Sequence, residues 1–83
     1  MTLEQGMLFV APWNTGVRLY FIDGFTRNGD PKVTNFCRAT QQWTKTTKTV
    51  TNPRFFDNVT FVDRKTARDF MARGTRALNN GNR

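Results

Sequence analysis

Asn58-Val-Thr-Phe-Val-Asp-Arg-Lys-Thr-Ala-Arg-Asp-Phe-Met-Ala-Arg-Gly-Thr-Arg-Ala-Leu78 is the stretch whose reading decides the fold. Val59 and Phe61 alternate with Thr60 and Val62, the period of a strand. From Ala67 onward the period changes: Ala67, Phe70, Met71, Gly74, Ala77 and Leu78 share one helical face, and Lys65, Arg68, Arg73 and Arg76 take the remainder. Asp63 stands where the strand stops and is the expected N-cap, with Thr66-Ala-Arg-Asp69 offering a capping box beyond it. The spacing predicts one helix over about 64–79, stopped at Asn79-Asn-Gly81, with Gly74 letting it approach its support closely. Everything before Asp63 must then supply the surface on which that helix lies.

Working back from the helix, Asn52-Pro53 breaks the chain and Arg54-Phe-Phe-Asp57 leads into the last strand. Ahead of it, Gln41–Thr51 is rich in Thr, which favours extended backbone, and is either a solvated edge strand or an arm. Arg27-Asn-Gly-Asp-Pro31 is a turn signal, and a strand with a blurred pattern follows it from Lys32. Met7–Trp13 and Val17–Phe25 read as a hairpin closed by Asn14-Thr-Gly16, with Gly16 in the left-handed position. That register sets Trp13, Ala11 and Phe9 opposite Val17, Leu19 and Phe21. The expected core is Phe9, Trp13, Leu19, Phe21, Phe61, Phe70, Met71 and Leu78. The class is α+β: an antiparallel three- to four-stranded meander over about 7–62, with one C-terminal amphipathic helix on one face. Residues 1–83 form a single domain.

Composition narrows the function. Eight Phe, two Trp and one Tyr give an 83-residue chain a bulky aromatic core, near the size at which a core alone sustains a fold. Thirteen Lys and Arg against six acids leave a charge of +7, an excess that suits a polyanion or an acidic protein surface. The apolar run Met7–Ala11 is too short for a membrane span or signal, and Cys37 has no second cysteine to pair with. A soluble cytoplasmic protein, monomer or homodimer, is expected. There is no His, so the usual near-neutral acid–base group is missing, and Cys37 reads as a buried, inert thiol. A non-enzyme with no cofactor follows.

The binding residues expected are Arg18 and Tyr20 on one strand, with Arg38, Trp43, Lys45, Lys48 and Arg54 in and around the Thr-rich segment. Phosphates are held by Lys, Arg and Thr on extended backbone, and unpaired bases stack on exposed aromatic rings. The bland alternative puts Trp43 in the core and leaves the lysines guarding an edge. A second reading has Leu8, Val10 and Ile22 forming an apolar patch with a basic rim that docks on a protein.

Three resemblances bear on these readings. Asp57 with Asp63-Arg-Lys65 resembles the carboxylate and Asp-x-Lys arrangement of metal-dependent nucleases of the restriction-enzyme type, which implies Mg²⁺ on the carboxylates and a Lys polarising water. Capping offers Asp63 a simpler role, so no metal site is expected. Strand order together with Phe61-x-Asp63-x-x-x-Ala67-x-x-Phe70 resembles small sheet-plus-helix DNA-binding domains of the integrase-arm and plant AP2 type. It is similar also to small phage proteins that inhibit host machinery, such as polymerase inhibitors and anti-CRISPR proteins. The likeness to DNA-binding domains implies a sheet that meets nucleic acid; the likeness to phage proteins, as the alternative function, docking on a host protein.

Overall fold

A computed structural model describes residues 2–14 and 16–74. Six strands, β1 (Leu8–Trp13), β2 (Gly16–Phe25), β3 (Pro31–Cys37), β4 (Gln42–Trp43), β5 (Lys48–Thr49) and β6 (Thr60–Val62), precede one helix, α1 (Arg64–Arg73). The sheet is antiparallel in the order β4-β3-β2-β1-β6, and β5 pairs with β3 beside β4. The α+β class with a C-terminal helix is as expected. The Thr-rich segment is an edge strand in two pieces, both on β3.

The first hairpin departs from expectation by one residue. Trp13 pairs with Gly16, Val10 with Leu19, Phe9 with Tyr20 and Leu8 with Phe21. The connection therefore has two residues, and the positive φ of +50° falls on Asn14 rather than on Gly16. Asn tolerates that region through its short polar side chain, and two-residue connections match the twist of the paired strands. A one-residue shift exchanges every face. Phe9 and Ala11 share a side with Tyr20 and Ile22, while Leu8 and Val10 share the other with Leu19 and Phe21. The next turn follows the sequence: Gly29 takes φ +89°, and the Thr26 and Asp30 backbones bond at 2.8 Å. The expected irregularity lies on β2, where the register slips between Ile22 and Gly24, and not on β3.

Both faces carry a core. Under α1 lie Val10, Leu19 and Phe36, packed with Ala67 and Phe70 and flanked by Trp43 and Val62. The opposite core holds Phe9, Ala11, Tyr20, Ile22, Val33 and Val50, and is closed by Phe55, Phe56 and Phe61. Its lid is a 3-10 helix, Pro53–Asn58, started by Pro at its first turn and by the Asn52 side chain, which accepts from Arg54 N–H at 3.0 Å. The expected single core is thus divided. Phe9 and Phe61 lie on the side away from α1, Trp13 is exposed, and Leu78 lies outside the described residues.

Asp63 caps α1 as expected, its carboxylate accepting from Thr66 N–H at 2.7 Å. Asp69 pairs with Arg73 at 3.5 Å rather than completing a box with Thr66. The helix ends earlier than the periodicity suggests. Gly74 adopts φ +65° and ψ −143°, a region essentially reserved for glycine, and its N–H bonds to the Phe70 carbonyl at 2.7 Å. The expected continuation over 75–79 lies outside the described residues. No helix among them is long and apolar enough to cross a membrane.

Candidate nucleic-acid interface

The pairing of β2 with β3 runs from Phe25↔Pro31 to Tyr20↔Asn35 and extends no further. Beyond it the strands part around a cleft of about 480 Å³, lined by Arg18 from β2, Asn35 and Cys37 from β3, and Arg38 and Thr44 from either side of β4. A second, smaller cleft of about 300 Å³ lies between β5 and the 3-10 helix, lined by Lys48, Thr49, Asn52, Arg54 and Phe55 among others. No acidic residue lines either one. Lys45, exposed in the connection between β4 and β5, stands between them in the chain. Of the seven residues expected to bind nucleic acid, Arg18 and Arg38 line the first cleft and Lys48 and Arg54 the second, while Lys45 lines neither. Among the described residues one ion pair forms, Arg73 with Asp69, so none of these five charges is neutralised by a carboxylate.

Arg38 also has a structural task. Its Nε and Nη2 donate to the Met71 and Ala72 carbonyls at 3.4 and 3.3 Å, and Gln41 Nε2 donates to Met71 at 3.1 Å. The last carbonyls of a helix lack partners within it and carry partial negative charge, so a guanidinium is well suited there. The positive φ of Gln41, +57°, tightens the turn that delivers both side chains. Neutral acceptors leave the guanidinium its full charge, so Arg38 still adds positive charge to the first cleft.

The two aromatic residues of the expected site are placed otherwise. Tyr20 is only 8% exposed, its ring stacked on Phe9 at 5.2 Å and met edge-on by Phe55 at 5.9 Å. Trp43 packs edge-on to Phe21 at 4.8 Å and Phe36 at 5.3 Å, joining the core under α1. The Tyr20 ring is thus closed to a base, and Trp43 is half-buried. The exposed indole is Trp13, which hydrophobicity alone assigns to the core. Trp13 is 46% exposed, and the Arg18 guanidinium lies over its ring, 3.8 Å from the centroid. The signal was in the sequence: with a two-residue connection, Trp13 faces Gly16, which has no side chain to cover it.

The apolar docking patch does not assemble. Val10 and Ile22 are buried, Leu8 is half-buried, and Ile22 lies on the opposite face from the other two. Both faces were already needed for cores.

Cys37 is half-exposed rather than buried. Hydrogen bonds from the Thr40 side chain and backbone draw its thiol below the usual range, with a smaller contribution from Arg18. Asp63 is held below the ordinary carboxylate value chiefly by the Thr66 N–H, then by the Thr66 side chain, with Lys65 adding to them. Its carboxylate is engaged in capping, and no group of three or more His, Cys, Asp or Glu among the described residues is arranged to hold a metal ion. No protein-family model matches the chain, and no curated protein or solved structure matches it either, so none of the three resemblances gains support from a relative.

Proposed function

We propose that this protein is a basic binding module for nucleic acid, engaging phosphates along the flank that runs from Arg18 and Arg38 through Lys45 to Lys48 and Arg54. The observation that carries this reading is the pair of clefts, one lined by Arg18 and Arg38 and the other by Lys48 and Arg54, neither with a carboxylate, on a chain of net charge +7. Cations set in concave, acid-free surfaces raise the local potential and attract polyanions. Thr44 and Thr49 add hydroxyls of the kind that hydrogen-bond phosphate oxygens.

Binding of this kind must be salt-dependent, because each neutralised phosphate releases counterions. With about five phosphate contacts, log Kobs should fall against log salt with a slope of about −3.5 on single strands and about −4.5 on duplex. Replacing Lys45 and Lys48 together by Ala removes two exposed charges without touching either core. It should flatten the slope by roughly 1.5–2 and weaken all sequences alike. Titration of labelled oligonucleotides at several salt concentrations measures both. No binding by the wild-type protein at low salt would overturn the proposal.

A further inference from the structure

We infer, resting on the nucleic-acid reading, that the strand this protein takes is single, and that Trp13 receives one of its unpaired bases. Among the described residues, two large hydrophobic side chains are exposed, Trp13 and Phe25. They stand at opposite ends of the first two strands, and Trp13 alone carries a cation on its ring, the Arg18 guanidinium at 3.8 Å. Across the strand pair from Trp13 is Gly16, and a Cβ built there would meet nothing within 4 Å. No side chain at Gly16 can cover the indole, and with the guanidinium over its ring Trp13 still remains 46% exposed, which leaves surface for a planar ring.

Position links this platform to the charges. Arg18 touches Trp13 and also lines the cleft that holds Arg38, Asn35 and Thr44. A strand whose phosphates lie in that cleft brings its next base to the indole, and the guanidinium between them interacts with both ring and phosphate. Asn35 and Thr44 supply donors and acceptors for the sugar or for base edges. Pairing state follows from the same geometry. In a duplex both faces of every internal base are occupied by its neighbours, so an indole on a sheet surface gains a base face only where stacking is already broken. Unpaired DNA and unpaired RNA present the same chemistry here.

The test combines anisotropy with intrinsic fluorescence, using labelled homopyrimidine DNA, the matching RNA, and a duplex of mixed sequence. Wild type should bind the single strands more tightly than the duplex, with quenching of tryptophan emission. Trp13→Ala should weaken single-strand binding about 5- to 100-fold, the span expected for one lost stack, and leave the salt slope and duplex binding unchanged. Trp13→Phe keeps a ring and should retain most affinity. Trp43 is then the sole indole, and the quenching should vanish, a readout that does not depend on the stability of the alanine variant. Stronger binding of the deoxy or the ribo strand assigns the natural class. If wild type binds nucleic acid but Trp13→Ala binds single strands as tightly, or quenching persists in Trp13→Phe, the inference falls and the phosphate-binding flank stands. If wild type binds neither strand nor duplex at low salt, both fall.

Discussion

The two faces of the sheet bury comparable apolar residues by different means. Under α1, a regular helix delivers Ala67 and Phe70 from one turn to the next, and its two ends are secured, by Asp63 at the start and by Arg38 and Gln41 at the finish. Opposite, a six-residue 3-10 helix delivers Phe55 and Phe56 onto Phe9, whose ring also meets Tyr20 and Phe61. Short 3-10 segments have poorer hydrogen-bond geometry than α-helices and seldom extend far. The second lid thus depends on aromatic packing for what the first gains partly from its backbone. The end of that face leaves Trp13 exposed, whereas the helical face keeps the cleft between Arg18, Arg38 and Phe70.

Matched truncations in the two cores are the strongest way to break this comparison. Phe9→Ala and Phe70→Ala each remove a buried ring and should each cost about 3–5 kcal/mol, enough to unfold much of a domain this small. If aromatic packing carries the second lid, Phe9→Ala should be the more damaging, since it takes a partner from four rings at once. Urea denaturation measures both, and a Phe9→Ala protein more stable than Phe70→Ala would refute the contrast.

A smaller effect tests the helix end. A Cβ at Gly74 would lie 2.7 Å from Arg38 Nη1, on a backbone with φ +65°. Gly74→Ala should cost about 1–3 kcal/mol from backbone strain. Combined with Arg38→Ala, the loss should be less than the sum, because the truncated arginine no longer meets the new methyl group. Strict additivity would show that the guanidinium does not sit over Gly74.

The smallest expected effect lies at the start of the helix. Hydrogen bonds to the carboxylate hold Asp63 below its unfolded value. Its stabilisation is therefore fully present above the unfolded carboxyl pKa and is lost as pH falls through the folded one. Asp63→Asn should cap nearly as well at neutral pH and lower the slope of melting temperature against pH below about pH 4. Asp63→Ala should melt lower throughout. An asparagine variant with the wild-type acid profile would remove Asp63 from the account.

What was legible in the sequence follows the same division. Asp63 and the change of period after it located the helix start, and Asn28-Gly29 located the second turn, because each rests on local chemistry. The register of the first hairpin did not, because Leu8 to Ala11 and Leu19 to Ile22 are apolar without interruption. When both faces are covered, alternation loses its power to tell one face from the other. The exposure of Trp13 goes with that register, which sets it opposite Gly16, whereas Trp43 is placed by its pairing with Phe36 on β3. Phe55-Phe56 after Pro53 was read as a connection, since a one-turn lid has too few residues to show a period. The exposure of Lys45 and Lys48 was legible in the sequence, for a run of Thr and Lys needs no register to be read as solvated.

β6 lies beside β1, with Leu8 opposite Val62, although the two segments stand at opposite ends of the described chain. During synthesis β1, β2 and β3 can pair as each emerges, but the outer edge of β1 remains without its partner until Thr60 to Val62 have been made. For that interval the nascent sheet presents the unpaired N–H and C=O groups of a strongly apolar strand, a template on which other chains can add. Pairing over such a sequence separation is also slow, because a long loop must close before any bond is gained. The finished fold has a short outer strand on this side; the unfinished one has a sticky edge. Only when β6 arrives is that edge of β1 closed to other chains.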